Sequence, residues 1–306
     1  MTEPKPLFLG ARVALLAPAS AVPSEKLAPA LNLVRDLGLE PVVYPSCCYE
    51  NRDGYFAATD AQRAQDLNHA FSDPAIQGIW CIRGGYGAQR LMPLLDTDTI
   101  RENPKWFGGY SDVTALHTYL NQTCGFATYH CTMASTEPRP DDYTLGYLKK
   151  ALFGGLDGTL TYPQKHKVSA LVPGQAEGVL CGGNLSLLVS SIGTPWEVDT
   201  KGKILFLEDV GEENYRIDRM LTQLRNAGKF ADCAGILLGA WTDCGPENPK
   251  RSLSLDEIFD QLIVPEGKPT LKDIPCGHCR TTAALPMGRM CQMDADAGRV
   301  YIAGRD

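Results

Sequence analysis

The chain has 306 residues, 44% of them hydrophobic, with a formal net charge of -7. Its lysines and arginines are scattered rather than clustered, which argues against a nucleic-acid partner, and nowhere do enough apolar residues follow one another to span a membrane. Eleven cysteines, two of them adjacent at Cys47 and Cys48, follow no disulfide-framework spacing and point to a reducing compartment.

The apolar run that ends at Ala17, Pro18, Ala19 and Ser20 mimics a secretory leader. Arg12 splits it, however, and Val13 to Ala17 is too short for a leader's apolar core, so a first buried strand is expected over residues 12–17. Ser24 is placed to cap a helix reaching Leu37, with Gly38 after its end. A strand over 41–45, a polar loop over 46–59, a helix over 60–71 and a central strand over 76–82 follow. The alternation continues through Leu91 to Leu95, a strand near 126–129 and a helix over 143–153. Strands alternating with helices predict an α/β fold built on a parallel sheet, with functional loops at the carboxyl ends of its strands.

From Gly154 to Gly174 the sequence turns polar and loses its apolar period, which predicts a linker between two domains, 1–160 and 161–306. Beyond it come a glycine pair in the 178–188 segment, a strand over 203–207 and a helix over 212–227 closed by Gly228. A strand over 234–240 and a helix opened by a Ser254–Glu257 capping box complete the pattern. Gly277 to Arg280 reads as a loop, and residues 287–302 as a hairpin turning at Ala297 and Gly298.

Phe107 to Leu120 combines a strand-like approach, two glycines, Ser111 and a helical apolar face at Val113, Leu116 and Leu120. A serine at such a corner has its hydroxyl at the sheet edge and the first helical N–H groups beside it, the position of a nucleophile. The same residue type is also the most favoured helix cap, and Val113 stands where the G-x-S-x-G pattern has its second glycine. A base and an acid are needed to choose. His69 lies within an amphipathic helix, His117 points away from the corner, and His166 falls in the linker. His278, in a glycine loop between strands, is the better base, with His130 in reserve. Glu208, at the carboxyl end of an apolar strand, is placed to orient an imidazole, with Asp209, Glu212 and Glu213 as neighbouring acids. The run Gly84, Gly85, Tyr86, Gly87 could hold phosphate, supply an oxyanion donor or simply turn; it lacks the nucleotide-binding glycine patterns. Cys276, His278 and Cys279 crowd one loop, but no second ligand pair completes a zinc site, so neither metal nor cofactor is expected.

Five blocks carry a resemblance: RGGYGAQRLMPLLD at 83–96, FGGYSD at 107–112, GGNLSLL at 182–188, KILFLEDVGEENYRIDRMLTQL at 203–224 and GHCRTTAALPMG at 277–288. In order and spacing they resemble the LD-carboxypeptidases, the serine-peptidase family that includes muramoyltetrapeptide carboxypeptidase and the microcin C7 self-immunity protein. The resemblance implies a Ser111, Glu208, His278 triad, with the N–H of Asp112 and one from Gly84 or Gly85 as the oxyanion hole. It implies a cytoplasmic homodimer with a flavodoxin-like N-terminal domain, a smaller β-rich C-terminal domain and the active site between them. The implied reaction is release of the terminal D-alanine from murein tetrapeptide in peptidoglycan recycling. Arg83 is then the first choice to bind the substrate carboxylate, with Tyr86 beside it and Arg216 or Arg280 as alternatives. Two other readings stand beside this one. One is an immunity-type peptidase acting on a peptidyl-nucleotide, with Trp196 or Trp241 as base platform. The other is a non-enzymatic two-lobed binding protein.

Overall fold

The computed structural model describes residues 1–304. The chain divides into two compact units, the first comprising Met1–Leu156 with Ala283–Pro286, the second Asp157–Thr282 with the residues from Met287 onward.

The first unit runs β1 (Arg12–Leu16), α1 (Ser24–Asp36), β2 (Glu40–Val43), α2 (Asp60–Ser72), β3 (Gly78–Cys81), α3 (Thr97–Glu102), β4 (Trp106–Gly109), α4 (Thr114–Tyr119), β5 (Thr128–His130) and α5 (Asp142–Phe153). Its strands lie in the order β2, β1, β3, β4, β5, all parallel, the doubly wound arrangement with its switch between β1 and β3. β3 and β4 are buried at every residue, as strands covered on both faces must be, which is why they read as continuous apolar runs. Trp80, Trp106 and Tyr129 fill the centre, Trp106 stacking on Tyr129 at 5.5 Å while its indole N–H donates to the Ala151 carbonyl at 2.8 Å. A sixth strand, Leu285–Met287, joins the sheet beside β5 from far down the chain.

Two local expectations are corrected. Ser24 does not cap α1: the Lys26 N–H donates to the Pro23 carbonyl, so the turn opens one residue earlier and the serine lies inside the helix. Residues 91–94 belong to a 3-10 turn, Ala88–Leu94, with Pro93 within it and Leu95 extended after it.

The second unit holds β6 (Gly158–Thr159), β7 (Ser169–Val172), β8 (Gln175–Asn184), α6 (Leu185–Ser190), β9 (Ile204–Val210), α7 (Asn214–Asn226), α8 (Lys229–Asp232), β10 (Gly235–Thr242), α9 (Leu255–Leu262) and β11 (Thr270–Lys272). After the returning strand, β12, come β13 (Met290–Asp294) and β14 (Arg299–Ile302). Among the described residues its eight strands are ordered β6, β14, β13, β8, β9, β10, β11, β7. The parallel centre, β8 to β11, packs Leu205, Leu207, Ile236 and Leu238 against Ile217, Leu221 and Leu224 of α7 and Ile258 and Phe259 of α9. The polar stretch expected as a linker supplies β6 and β7, the two edge strands of this sheet. Edge strands expose a face and an outer rim, so polar, glycine-rich sequence is compatible with pairing there.

Candidate active site

β4 ends at Gly109 and the chain turns through Ser111, whose φ of 66° is left-handed. A non-glycine residue pays about 1–3 kcal/mol for such backbone, a cost that persists where the corner itself is needed. Ser111 is not a cap, because Tyr110 holds the cap position and Ser111 is the first residue inside the 3-10 turn, Ser111–Val113. Gly84 packs directly on it: a Cβ there would lie 2.9 Å from Ser111 Cβ, 3.1 Å from Oγ and 3.4 Å from the Asp112 nitrogen, so only glycine lets the two turns approach this closely. The N–H groups of Gly84, Gly85 and Asp112 make no hydrogen bond among the described residues.

Beneath this corner the histidines are structural. His117 Nε2–H donates to the Gly109 carbonyl at 2.9 Å and Nδ1 accepts from the Thr128 hydroxyl at 2.8 Å. Full burial holds the ring neutral, its pKa pushed down to about 4. His130 is buried against it, ring centroids 6.2 Å apart.

In the second unit, Glu208 lies at the carboxyl end of β9, fully buried. Its Oε2 accepts twice from His278, from the backbone N–H at 3.1 Å and from Nδ1 at 2.7 Å. The double contact fixes the ring with Nδ1 protonated and makes Nε2 the basic nitrogen. Gly277 permits this, since with φ at 115° a Cβ would sit 2.5 Å from Glu208 Oε2. A further layer was not foreseen. Asn184 Nδ2 donates to Glu208 Oε1 at 3.3 Å and to Asp209 Oδ1 at 2.9 Å, and Asp209 Oδ2 accepts from both the Ser186 backbone and hydroxyl. The GGN block was the available signal, since an asparagine directly before a helix is a cap, and Asn184 caps α6 through the Leu187 N–H.

The sequence profile of the LD-carboxypeptidase N-terminal domain matches residues 13–131, and that of the C-terminal domain matches residues 177–293. The chain belongs to the LD-carboxypeptidase family. As an LD-carboxypeptidase it is a serine-type enzyme. It is 42% identical to a Bacillus subtilis protein named "Probable murein peptide carboxypeptidase", over 99% of this chain and 95% of that one. It is 33% identical to the "Murein tetrapeptide carboxypeptidase" of Pseudomonas aeruginosa, over 93% and 94% respectively. The wild-type apo structure of the microcin C7 self-immunity protein shares its fold, with a TM-score of 0.91 at 24% identity over 100% of this chain and 99% of that one.

The remaining expected residues of this LD-carboxypeptidase are spread between the units. Arg83 is half-buried and donates through Nη1 to the Ala21 carbonyl at 2.5 Å. Tyr86, half exposed, joins Tyr55 and Phe56 in an aromatic cluster. Arg216 lies exposed on α7, donating to the Tyr215 hydroxyl at 3.1 Å. Cys276 is buried and Cys279 half-buried, neither in a disulfide, and the Cys279 thiol donates to the Thr281 carbonyl at 3.3 Å. Among the described residues no group of three or more His, Cys, Asp or Glu is placed to hold a metal, and no helix is long and apolar enough to cross a membrane.

Proposed function

We propose that this enzyme hydrolyses the L,D amide bond that releases the terminal D-alanine of murein tetrapeptide. His278 Nε2 takes the Ser111 proton, Ser111 Oγ attacks the amide carbonyl, and the tetrahedral oxyanion is held by the N–H of Asp112 and of Gly84 or Gly85. Glu208 stabilises the imidazolium, which then protonates the departing D-alanine amine. A water, activated by the same histidine, hydrolyses the acyl-enzyme and restores Ser111. Arg83 binds the substrate's terminal carboxylate, with Tyr86 beside it, and Arg216 is the alternative. The reading includes a cytoplasmic homodimer working in peptidoglycan recycling, with no nucleic-acid partner.

The observation that carries it is the left-handed Ser111, packed against Gly84, with the N–H groups of Gly84, Gly85 and Asp112 making no hydrogen bond among the described residues. The Glu208–His278 pair supplies the matching base, and the relatives named for murein peptides support the substrate class. Incubation with a muropeptide ending in D-alanine, and separately with an aminoacyl-sulfamoyl adenylate, tests it. D-alanine release from the first and not the second is expected, with Ser111→Ala lowering turnover by on the order of 10⁴- to 10⁶-fold. Cleavage of the adenylate alone would assign the chain to the immunity-type activity instead.

A further inference from the structure

The residue after the serine carries a buried acid that the mechanism above does not use. Asp112 is 1% exposed; its Oδ2 accepts from the Ala88 N–H at 2.7 Å, and among the described residues its Oδ1 has no hydrogen-bond partner. Arg63, on α2, is wholly buried and approaches the same loop from the other side. Its Nη1 donates to the Gly87 carbonyl at 3.0 Å and to the Pro18 carbonyl at 2.5 Å, Nε to the Ala58 carbonyl at 3.1 Å, and Nη2 pairs with Asp60.

The Gly87 carbonyl and the Ala88 N–H belong to one peptide unit. A buried cation therefore grips its oxygen and a buried anion its nitrogen. The other end of the turn is pinned as well, by the Ser20 N–H to the Gly84 carbonyl at 3.2 Å and by the Tyr86 N–H to Ser20 Oγ at 3.1 Å. Among the described residues the N–H groups of Gly84 and Gly85 make no hydrogen bond, and Gly84 packs directly on Ser111. A neutral acceptor would suffice to hold one N–H. An acid is present although burial works against its charge, raising its pKa to about 6, offset only in part by the Ala88 N–H, the Arg63 guanidinium and the Gly87 N–H.

We propose that Asp112 is a positioning residue: with Arg63 it locks the Gly87–Ala88 peptide, and through it the turn, so that the N–H groups of Gly84 and Gly85 stay aimed beside Ser111 Oγ. The inference rests on Ser111 being the nucleophile and adds the element that orients its oxyanion donors. Donors fixed before reaction need no reorganisation as charge develops, so loosening them lowers the acylation rate rather than substrate affinity.

The test is the rate at which a fluorophosphonate reagent modifies Ser111, followed by mass spectrometry, together with kcat and KM on the D-alanine-terminated tetrapeptide. Asp112→Ala is expected to slow both modification and kcat by about 10²-fold, the scale set by a small misplacement of catalytic groups, with KM changed less than about threefold. Asp112→Asn keeps an oxygen for the Ala88 N–H and is expected to recover to within about tenfold of wild type. Should Asp112→Ala fail to fold, Arg63→Gln, which frees the carbonyl side of the same peptide, is expected to show the same kcat-confined loss. Wild-type modification rates in a folded Asp112→Ala or Arg63→Gln chain, or a loss confined to KM, would overturn the proposal alone. A wild-type Ser111 inert to the reagent, in a chain that still cleaves tetrapeptide, would overturn the nucleophile assignment and the proposal with it.

Discussion

Glu208 and His278 show how firmly one oxygen can hold an imidazole. Because a single carboxylate oxygen accepts from both the ring and its own backbone N–H, the histidine loses rotation about χ1 and χ2 together. Under the proposed mechanism Glu208→Gln presents an amide that can donate to Nδ1, favouring the wrong tautomer. A kcat lower by on the order of 10⁴-fold with KM little changed is expected in steady-state assays. Asp112 and His117 make a second prediction, on stability against pH. Asp112 titrates at about 6 in the fold against 3.8 ordinarily, so as pH rises from about 4 the unfolded chain ionises first and stability falls until about pH 6. His117 titrates at about 4 against 6.5, so as pH falls below 6.5 the unfolded chain protonates first and stability again falls. On acidification the two terms oppose each other, each on the order of 3 kcal/mol. Asp112→Asn removes the first. Thermal unfolding should find that variant more stable than wild type at pH 7–8, steeper in its acid decline, and equal to wild type near pH 4. The acid would then be retained against stability, as expected for a group kept for the reaction.

At the scale of elements, the His278 loop depends on one glycine. Gly277→Ala forces a methyl into Glu208 and strains a left-handed backbone, so the loop must move. Activity should fall by about 10²-fold through displacement of the ring, measured as kcat on the tetrapeptide. The Ser254–Glu257 capping box, by contrast, was legible from four consecutive residues and has both of its reciprocal hydrogen bonds. Ser254→Ala should cost about 1 kcal/mol, read as a small drop in Tm, and leave kcat unchanged. Local signals were legible where residue type and apolar period agreed, Ser24 being an exception because α1 opens from Pro23. Thr59 and Asp141 cap α2 and α5 where the apolar period begins. The edge strands β6 and β7 were not legible, because their partners β14 and β11 lie about a hundred or more residues away and nothing in a half-exposed strand requires an apolar pattern.

For the molecule as a whole, β12 is the feature no reading along the chain suggests. The chain leaves the first unit after Leu156, yet Ala283–Pro286 returns to it and β12 takes the sheet edge beside β5. Leu285 is fully buried there. Leu285→Ala should destabilise by about 2–5 kcal/mol. Hydrogen exchange should show the loss as reduced amide protection in β5, at Thr128 to His130, far from the substitution in sequence. Retained protection in β5 would mean that the returning strand contributes nothing to the first unit's stability.

From the sequence alone came the alternation of strands and helices, the α/β class, the corner at Ser111 and, through five ordered blocks, the family. These are properties of period, punctuation and residue type, which act over a few neighbouring positions. Tertiary structure decided the rest: the left-handed backbone that makes Ser111 a corner rather than a cap, the Asn184 and Asp209 layer under Glu208, and the grip of Asp112 and Arg63 on one peptide. Glu208 and His278 are 70 residues apart in sequence, and Arg63 and Gly87 are 24 apart. Their meeting depends on strand register and on how buried charges find partners, which only the assembled sheets determine.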